Sequence, residues 1–286
     1  MSETEVGPGK PRPRVLVGVD GSPDGIRALL YAMREAQVSA ADLWIVHVVD
    51  DKATVGGLWD LVSTPQARLQ GGEERIQQAL AVLAGEGFPR DRVISEVLVG
   101  RPGVILAGLS GRAQLMVVGR RSISGLERMF VGSTSVSVAT RADCPVIVIS
   151  AASTPHETGG LRVVAVAIST WPPHRSSLEW GAREAALRKA VLRVVHVVPE
   201  TLGVEGVSFV AAATADLEKH LAPIREAHPE VTWEVEVRLG APSDELIAES
   251  RTVDLLILGI HPEGLALGGS VRGVMAHAHC PVGLTR

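Results

Sequence analysis

The sequence is poor in aromatic residues, which make up 3% of its 286 positions. Proteins that bind single-stranded nucleic acid stack bases on aromatic side chains, so this scarcity argues against that class. The net charge of −4 gives no global attraction toward DNA or an anionic membrane surface either. The core must therefore be built from valine, leucine, isoleucine and alanine, which favours β-branched strands packed against helices rich in alanine and leucine.

Long apolar segments and cysteines are also scarce. No apolar run approaches the roughly 20 residues of a membrane helix, and the start, MSETEVGPGKPRPR, lacks the apolar core of a signal peptide. The two cysteines, Cys144 and Cys280, are too few for a disulfide framework. We therefore expect a cytoplasmic protein with reduced thiols and without membrane or nucleic-acid partners.

What the sequence does contain is a series of apolar runs separated by helical patterns. VLVGVD (15–20), LWIVHVVD (43–50) and LMVVG (115–119) are such runs, and none of them alternates with polar residues. Strands of this kind are buried on both faces of a sheet, and the helical segments between them are typical of right-handed crossovers. The pattern predicts an α/β fold with a parallel, doubly wound sheet.

The pattern runs through the chain twice. The paired segments are VLVGRP (97–102) with VRLGAP (237–242), LMVVG (115–119) with LLILG (255–259), and GSTSVSVATRADCPV (132–146) with GGSVRGVMAHAHCPV (268–282). In this alignment the first strands place Gly18 opposite Ala165 and Asp20 opposite Ala167. The kept order indicates an internal duplication.

The duplication predicts two tandem α/β/α domains of five strands each. We expect a disordered tail over 1–13, a first domain over 14–150, a linker over 151–161 and a second domain over 162–286.

Candidate site residues follow the strands of the first half, where ligands of parallel sheets bind. Asp20 closes the first strand, Val48 lies near the end of the second, and Gly119 closes the fourth. The last helix opens with Gly132, Ser133, Thr134 and Ser135. A helix start offers free N–H groups and a positive dipole end to phosphate.

Asp20 and the arginines near the loop also have plainer interpretations. Asp20 suits a ribose hydroxyl, an adenine amino group or a metal, but aspartate also commonly begins a turn. Gly18 would let a flat base approach the backbone. Arg120 and Arg121 either supply cations near the loop or are solvated.

Together the residues resemble the ATP-binding branch of the universal stress protein family, within the adenine-nucleotide α-hydrolase-like fold. That family's loop has a glycine, two residues, a glycine, nine residues and then Gly-Ser or Gly-Thr. Here Gly119, Ser122 and Gly132-Ser133 stand at the marked positions, with nine residues over 123–131. One marked glycine is therefore a serine. The resemblance covers nearly the whole chain as a tandem pair.

The resemblance implies an ATP site, with Mg, in the first domain. It assigns Gly18, Asp20 and Val48 to the nucleoside, Gly119, Arg121 and Ser122 to the sugar-phosphate path and its loop, and Gly132, Ser133, Thr134 and Ser135 to the phosphates. If position 122 needs a positive φ, serine there costs roughly 1 kcal/mol in strain.

In the second half the loop from Gly259 to Gly268 is four positions shorter and Ser133 is answered by Gly269. We expect this half to have a degenerate site and to serve as a structural partner. In the family, domains often pair through their final strands, here VIVI (146–149) and VGLT (282–285). The resemblance thus implies a pseudo-dimer within each chain, and a homodimer of such chains.

The implied function is that of a nucleotide-dependent stress-response regulator, with an ATP-independent scaffold and a slow ATPase as alternatives. No catalytic residue is predicted, since neither a general base beside the loop nor an arginine finger can be assigned. P-loop, dinucleotide and hydrolase motifs are absent from the sequence. The cluster of His277, His279 and Cys280 lacks converging ligands for a metal. His47 and His196 are interpreted as core histidines.

Overall fold

The computed structural model describes residues 12–50, 64–120, 131–153, 162–168, 172–199, 205–260 and 267–286. Its first half contains β1 (Arg14–Gly18), α1 (Pro23–Val38), β2 (Asp42–Val49), α2 (Pro65–Gly85), β3 (Val93–Val99), α3 (Pro102–Leu109), β4 (Leu115–Gly119), α4 (Ser133–Arg141) and β5 (Val146–Ile149). Its second half contains β6 (Val163–Ile168), α5 (Arg175–Arg188), β7 (Val191–Val198), α6 (Glu205–Ala227), β8 (Thr232–Leu239), α7 (Pro242–Glu249), β9 (Leu255–Gly259), α8 (Gly269–His277) and β10 (Val282–Thr285).

The ten strands form one sheet in the order β3-β2-β1-β4-β5-β10-β9-β6-β7-β8. Neighbouring strands are parallel within each half, and β5 and β10 are antiparallel where the halves meet. Each half therefore repeats one doubly wound topology, and the α/β prediction is confirmed. In the first half the strand order reverses between β1 and β4, which is where such sheets form a ligand crevice.

Helices cover both faces of this sheet. On one face α1, α2, α5 and α6 bury an apolar layer against the strands, and on the other face α3, α4, α7 and α8 bury a second layer. Both layers consist mainly of valine, leucine, isoleucine and alanine, as the scarcity of aromatics requires. At about 25 cal/mol per Å² of buried apolar surface, these layers are the main stabilising term of the fold.

The two halves meet where β5 pairs with β10. Val148 lies opposite Val282, and Val146 lies opposite Leu284. The predicted pairing of VIVI with VGLT is thus confirmed within one chain. Since these strand edges are already occupied, the homodimer stays a prediction and would require another surface.

Buried charges also cross the boundary between the halves. Arg188 of α5 forms ion pairs with Glu35 of α1 and with Glu184 of its own helix. The indole Nε1 of Trp180 donates to Glu184 Oε1 at 2.9 Å. Burial raises the pKa of Glu184, and the guanidinium of Arg188 opposes that rise.

The region before Glu73 was predicted wrongly. The sequence over 51–72 is Gly-rich and irregular in periodicity and predicts a helix only from about Glu73 to Ala84. In the structure α2 already begins at Pro65 and is capped by Thr64, whose Oγ1 accepts from the Ala67 N–H at 3.2 Å. The adjacent glycines Gly71 and Gly72 argued against a helix at the sequence level, because glycine is unfavourable in helices by about 1 kcal/mol relative to alanine. Tertiary packing outweighs that cost here.

Two histidines hold equivalent places in the halves. His47 Nδ1 lies 2.8 Å from the carbonyl oxygen of Val19. His196 Nδ1 lies 2.9 Å from the carbonyl oxygen of Ile168. The prediction that both are satisfied histidines within the strands is confirmed, and the repeated bond is a structural marker of the duplication.

The same bonds correct the alignment of the first strands. Counting back one residue from each bonded carbonyl places Gly18 opposite Ala167, and counting forward places Asp20 opposite Ser169. The predicted match of Gly18 with Ala165 was therefore wrong by two positions. A shift of two keeps the same side chains on the same face of a strand, so apolar runs alone do not distinguish the two alignments. The second half still has no carboxylate at this place, although residue 169 lies outside the described ranges.

Candidate functional site

A cleft of about 440 Å³ opens at the carboxyl ends of β1, β2 and β4. Eight of the ten predicted nucleotide-binding residues line it: Gly18, Asp20, Val48, Gly119, Gly132, Ser133, Thr134 and Ser135. The other two, Arg121 and Ser122, lie outside the described residues. Residues more than 100 positions apart in sequence thus converge on one crevice at the reversal of strand order.

Asp20 has two roles at the end of β1. Its Oδ1 accepts the backbone N–H of Ser22 at 2.9 Å, across a turn in which Gly21 has a φ of +79°. Ser22 then caps α1, its Oγ accepting from the Gly25 N–H at 3.0 Å. The interpretation of Asp20 as a turn residue is therefore correct, but it does not describe the whole role of this side chain. The exposed carboxylate also lines the cleft.

Gly119 is required by packing at the end of β4. A Cβ at this position would lie 2.7 Å from the carbonyl carbon and oxygen of Asp24 and 2.9 Å from the Gly25 nitrogen. Real Cβ atoms do not approach backbone this closely, so only glycine lets the first turn of α1 press against β4.

Gly18 also has a packing role beside the cleft. A Cβ there would lie 2.9 Å from Cδ1 of Leu106 on α3. The missing side chain therefore makes room for a leucine of the apolar layer, in addition to leaving a bare backbone beside the cleft.

The start of α4 presents backbone donors to the cleft. Its N-cap, Gly132, provides no side-chain cap for the first-turn N–H groups. Gly132 has a φ of −60°, which any residue can adopt, so glycine does not relieve backbone strain here. Ser133 is exposed to the cleft, whereas Ser135 is buried and donates its Oγ–H to the Gly119 carbonyl oxygen at 3.2 Å. An uncapped helix start of this kind is suited to an anion.

Helix α2 forms a wall of the cleft that sequence reasoning missed. Arg68, Glu74 and Arg75 of this helix line the cleft. The Arg75 guanidinium lies over the turn after Asp20, with its Nη1 2.6 Å from where a Cβ of Gly21 would stand. The proline that follows Thr64 was the available signal, since a threonine cap followed by proline is typical of a helix start.

Behind the cleft lies a buried pair of opposite charges, Asp24 and Arg120, which are 3% and 6% exposed. Asp24 Oδ1 accepts from Arg27 Nη1 at 2.8 Å, and no described residue hydrogen-bonds its Oδ2. Burial raises the pKa of Asp24, while Arg27 and Arg120 oppose the rise. The solvated interpretation of Arg120 was wrong, because this buried guanidinium donates to the carbonyl oxygens of Ala276 and Met275 in α8.

The equivalent region of the second half is differently filled. A Cβ on Gly259 would lie 2.9 Å from Ser177 Oγ and 3.0 Å from the His174 ring, so side chains occupy the space that backbone occupies beside Gly119. Val271 stands where Ser135 stands in α4 and has no hydroxyl for the equivalent bond.

Neither a metal-binding cluster nor a membrane-spanning helix is found in the described ranges. Across them, no three His, Cys, Asp or Glu side chains are grouped so that they could hold a metal ion. None of the helices in those ranges combines the length and apolarity needed to cross a membrane.

Comparison with known proteins gives a consistent result over the whole chain. The sequence model described as the universal stress protein family matches residues 11–150 and 160–286. A universal stress protein of Mycobacterium tuberculosis is 30% identical, with 94% of this chain and 96% of that protein covered. One of Mycolicibacterium smegmatis is 28% identical, with 95% and 96% covered. The crystal structure of a universal stress protein from Archaeoglobus fulgidus shares the fold, with a TM-score of 0.72, 18% identity and 96% of each chain covered.

Proposed function

Because the chain belongs to the universal stress protein family, we propose that its first half, residues 14–150, binds one molecule of ATP with Mg. The second half, residues 162–286, is a partner domain without an equivalent site. Nucleotide occupancy then makes the protein a regulator in the stress response. The observation that carries this proposal is that Asp20 and the uncapped start of α4 border one cleft at the reversal of strand order.

The size and lining of the cleft support a nucleotide as the ligand. Its volume of about 440 Å³ falls within the range of roughly 300–1,000 Å³ that is usual for small-molecule sites. Apolar residues such as Val48 and Leu106 line it beside polar groups, which suits a molecule with an apolar base and a charged tail. The base would lie near Val48 and the phosphates near Gly132.

Several polar groups in the cleft have complementary groups on a nucleotide. The exposed carboxylate of Asp20 accepts hydrogen bonds, as ribose hydroxyls and the adenine amino group require. The N–H groups at the start of α4 donate to phosphate oxygens, and the helix dipole favours their negative charge. Arg75 adds a fixed positive charge on the opposite wall.

Mg²⁺ fits this site as a companion of the phosphates. It prefers oxygen ligands and commonly keeps several waters when it binds with a nucleotide. The hydroxyls of Ser133 and Thr134 are oxygen donors of the right kind at the phosphate end of the cleft. When bound, the ion would neutralise part of the phosphate charge.

Calorimetric titration with Mg-ATP tests the proposal. We expect one binding event in the unaltered protein and at least about a tenfold loss of affinity in Asp20→Ala and in Gly132→Ala, since tenfold corresponds to about 1.4 kcal/mol. Gly268→Ala is the matched control, because Gly268 caps α8 as Gly132 caps α4. Unchanged affinity in both first-half variants would overturn the site assignment. Release of ADP during the titration would favour the slow ATPase.

A further inference from the structure

We propose that Arg120 is a positioning residue through which the second half of the chain holds the nucleotide cleft of the first half in its binding geometry. This inference rests on the proposed nucleotide site and adds a partner to it, namely helix α8. Arg120 does not touch the ligand and acts through the residues on either side of it.

The first observation is the contact between Arg120 and α8. The guanidinium Nη1 donates to the carbonyl oxygen of Ala276 and lies 3.5 Å from that of Met275. Both carbonyls belong to the last turn of α8 (Gly269–His277), whose oxygens have no partner within the helix. A cation at this end also interacts favourably with the helix dipole. A side chain of the first half therefore caps a helix of the second half.

The second observation is the position of Arg120 beside the cleft. It directly follows Gly119, which lines the cleft and on which the first turn of α1 is packed. Its own N–H donates to the Ile149 carbonyl oxygen at 2.6 Å, so its backbone is fixed to β5. Its charge also acts on the buried carboxylate of Asp24 in that first turn. Movement of the guanidinium would therefore alter the position of both α1 and the end of β4.

The third observation is that the equivalent residue of the second half, Ile260, makes no such contact with the first half. Ile260 occupies the position of Arg120 in the second half, and its N–H makes the equivalent backbone bond, to Thr285 at 2.7 Å. Its apolar side chain is buried and donates no hydrogen bond. At these two equivalent places in the described ranges, the backbone hydrogen bond is the same, but an arginine is present at position 120 and an isoleucine at position 260.

These contacts predict a thermodynamic linkage between nucleotide binding and the packing of α8 against the first half. If α8 stabilises the conformation of Gly119 that the ligand requires, then the ligand must stabilise the packing of α8 by the same free energy. Both effects would be lost together when the side chain of Arg120 no longer reaches α8.

The test combines calorimetry with hydrogen exchange on the full-length chain. Arg120→Ile introduces the residue that the second half uses, Arg120→Lys keeps the charge, and Ile260→Val is the control at the equivalent place. In the unaltered protein we expect Mg-ATP to slow exchange in residues 273–279 at least about threefold. In Arg120→Ile we expect affinity to fall at least about fivefold, the lower end of typical coupling, and the exchange response to vanish. Arg120→Lys should recover part of both, and Ile260→Val should change neither.

The possible outcomes separate this inference from the one it rests on. If the unaltered protein does not bind Mg-ATP, both proposals are overturned. If it binds but residues 273–279 do not respond, or if Arg120→Ile binds as tightly as the unaltered protein, only the role of Arg120 is overturned. If Arg120→Ile fails to fold, the exchange response of the unaltered protein and of Arg120→Lys still decides the question.

Discussion

Ser135 in the first turn of α4 donates a hydrogen bond of 3.2 Å to the carbonyl oxygen of Gly119 at the end of β4. The two residues are 16 positions apart in sequence and belong to the two elements that border the end of the cleft where we propose that the phosphates bind. Ser135 is 1% exposed. Its hydroxyl is therefore committed to fixing α4 against β4, whereas the hydroxyl of Ser133 faces the cleft.

This difference predicts that replacing Ser135 mainly lowers stability, whereas replacing Ser133 mainly weakens nucleotide binding. Ser135→Ala should lower the free energy of unfolding by about 1 kcal/mol, because the hydrogen bond to Gly119 is lost. Ser133→Ala should leave stability within about 0.5 kcal/mol, as for most exposed positions, and should weaken Mg-ATP binding. Urea unfolding and calorimetry on both variants measure the two effects. A loss of stability in Ser133→Ala with none in Ser135→Ala would contradict the assignment.

The close packing at Gly119 leads to a second prediction. Gly119→Ala should destabilise the protein by about 1–3 kcal/mol, the usual cost of overpacking, because the new Cβ meets the backbone of Asp24. Gly108→Ala on α3 is the control, since a Cβ there meets nothing within 4 Å. The control should stabilise the protein by up to about 1 kcal/mol through helix propensity. Equal thermal stability of the two variants would show that the packing at Gly119 is not as described.

The buried charges between the halves make a third prediction. Arg188→Met should destabilise the protein by about 3–5 kcal/mol, because Glu35 and Glu184 would be left buried without their cation. Arg175→Met on the same helix is the control. Arg175 is 74% exposed in its pair with Glu179, and removing it should have little effect.

The pH dependence of that variant follows from the pKa of Glu184. Burial already raises this pKa, and removing Arg188 removes an opposing effect, so the folded variant binds a proton more readily than its unfolded chain. Stability from such a group is present at low pH and is lost as pH rises through the folded pKa. The deficit of Arg188→Met should therefore shrink as the pH falls from the neutral range toward the ordinary pKa of glutamate, about 4.3. A deficit that stays constant over this range would contradict the expected protonation.

The thiols provide a fourth prediction. Burial raises the pKa of Cys144 and of Cys280 to about 12. Since the thiolate is the reactive form, alkylation by iodoacetamide at pH 8 should be about a thousandfold slower than for an exposed cysteine with a pKa near 8.5. The rate should rise about tenfold per pH unit while the protein stays folded. Mass spectrometry of the labelled protein measures it, and rapid labelling of either thiol in the folded state would contradict the burial.

Much of the fold could be predicted because the relevant signals are local and repeated. Apolar strand runs, helical spacing and the duplication together gave the α/β class, the number of strands and the pairing of VIVI with VGLT. The start of α2 at Pro65 was missed because Gly71 and Gly72 disfavour a helix in isolation. The alignment of β1 with β6 was misjudged because runs of valine and alanine look alike when shifted by two.

The site was less predictable where it depends on contacts between distant residues. The strand ends and the start of α4 could be assigned from sequence, since parallel strands bring such residues to one edge. The roles of Arg75 and Arg120 could not, because an arginine in sequence does not reveal whether it faces a cleft or caps a helix. For Arg120 the partner is a carbonyl oxygen 156 positions away. Since every residue has a backbone carbonyl, the sequence cannot identify which one accepts this hydrogen bond.

Native mass spectrometry of the full-length chain with increasing Mg-ATP tests the central claim most directly, because it counts bound nucleotides per chain. We expect one ATP per chain at saturation, and at least about tenfold more ATP for the same occupancy in Asp20→Ala. The control Gly268→Ala should still bind one. Two nucleotides per chain would contradict the assignment of the second half as a partner domain, and none in the unaltered protein would contradict the nucleotide site itself.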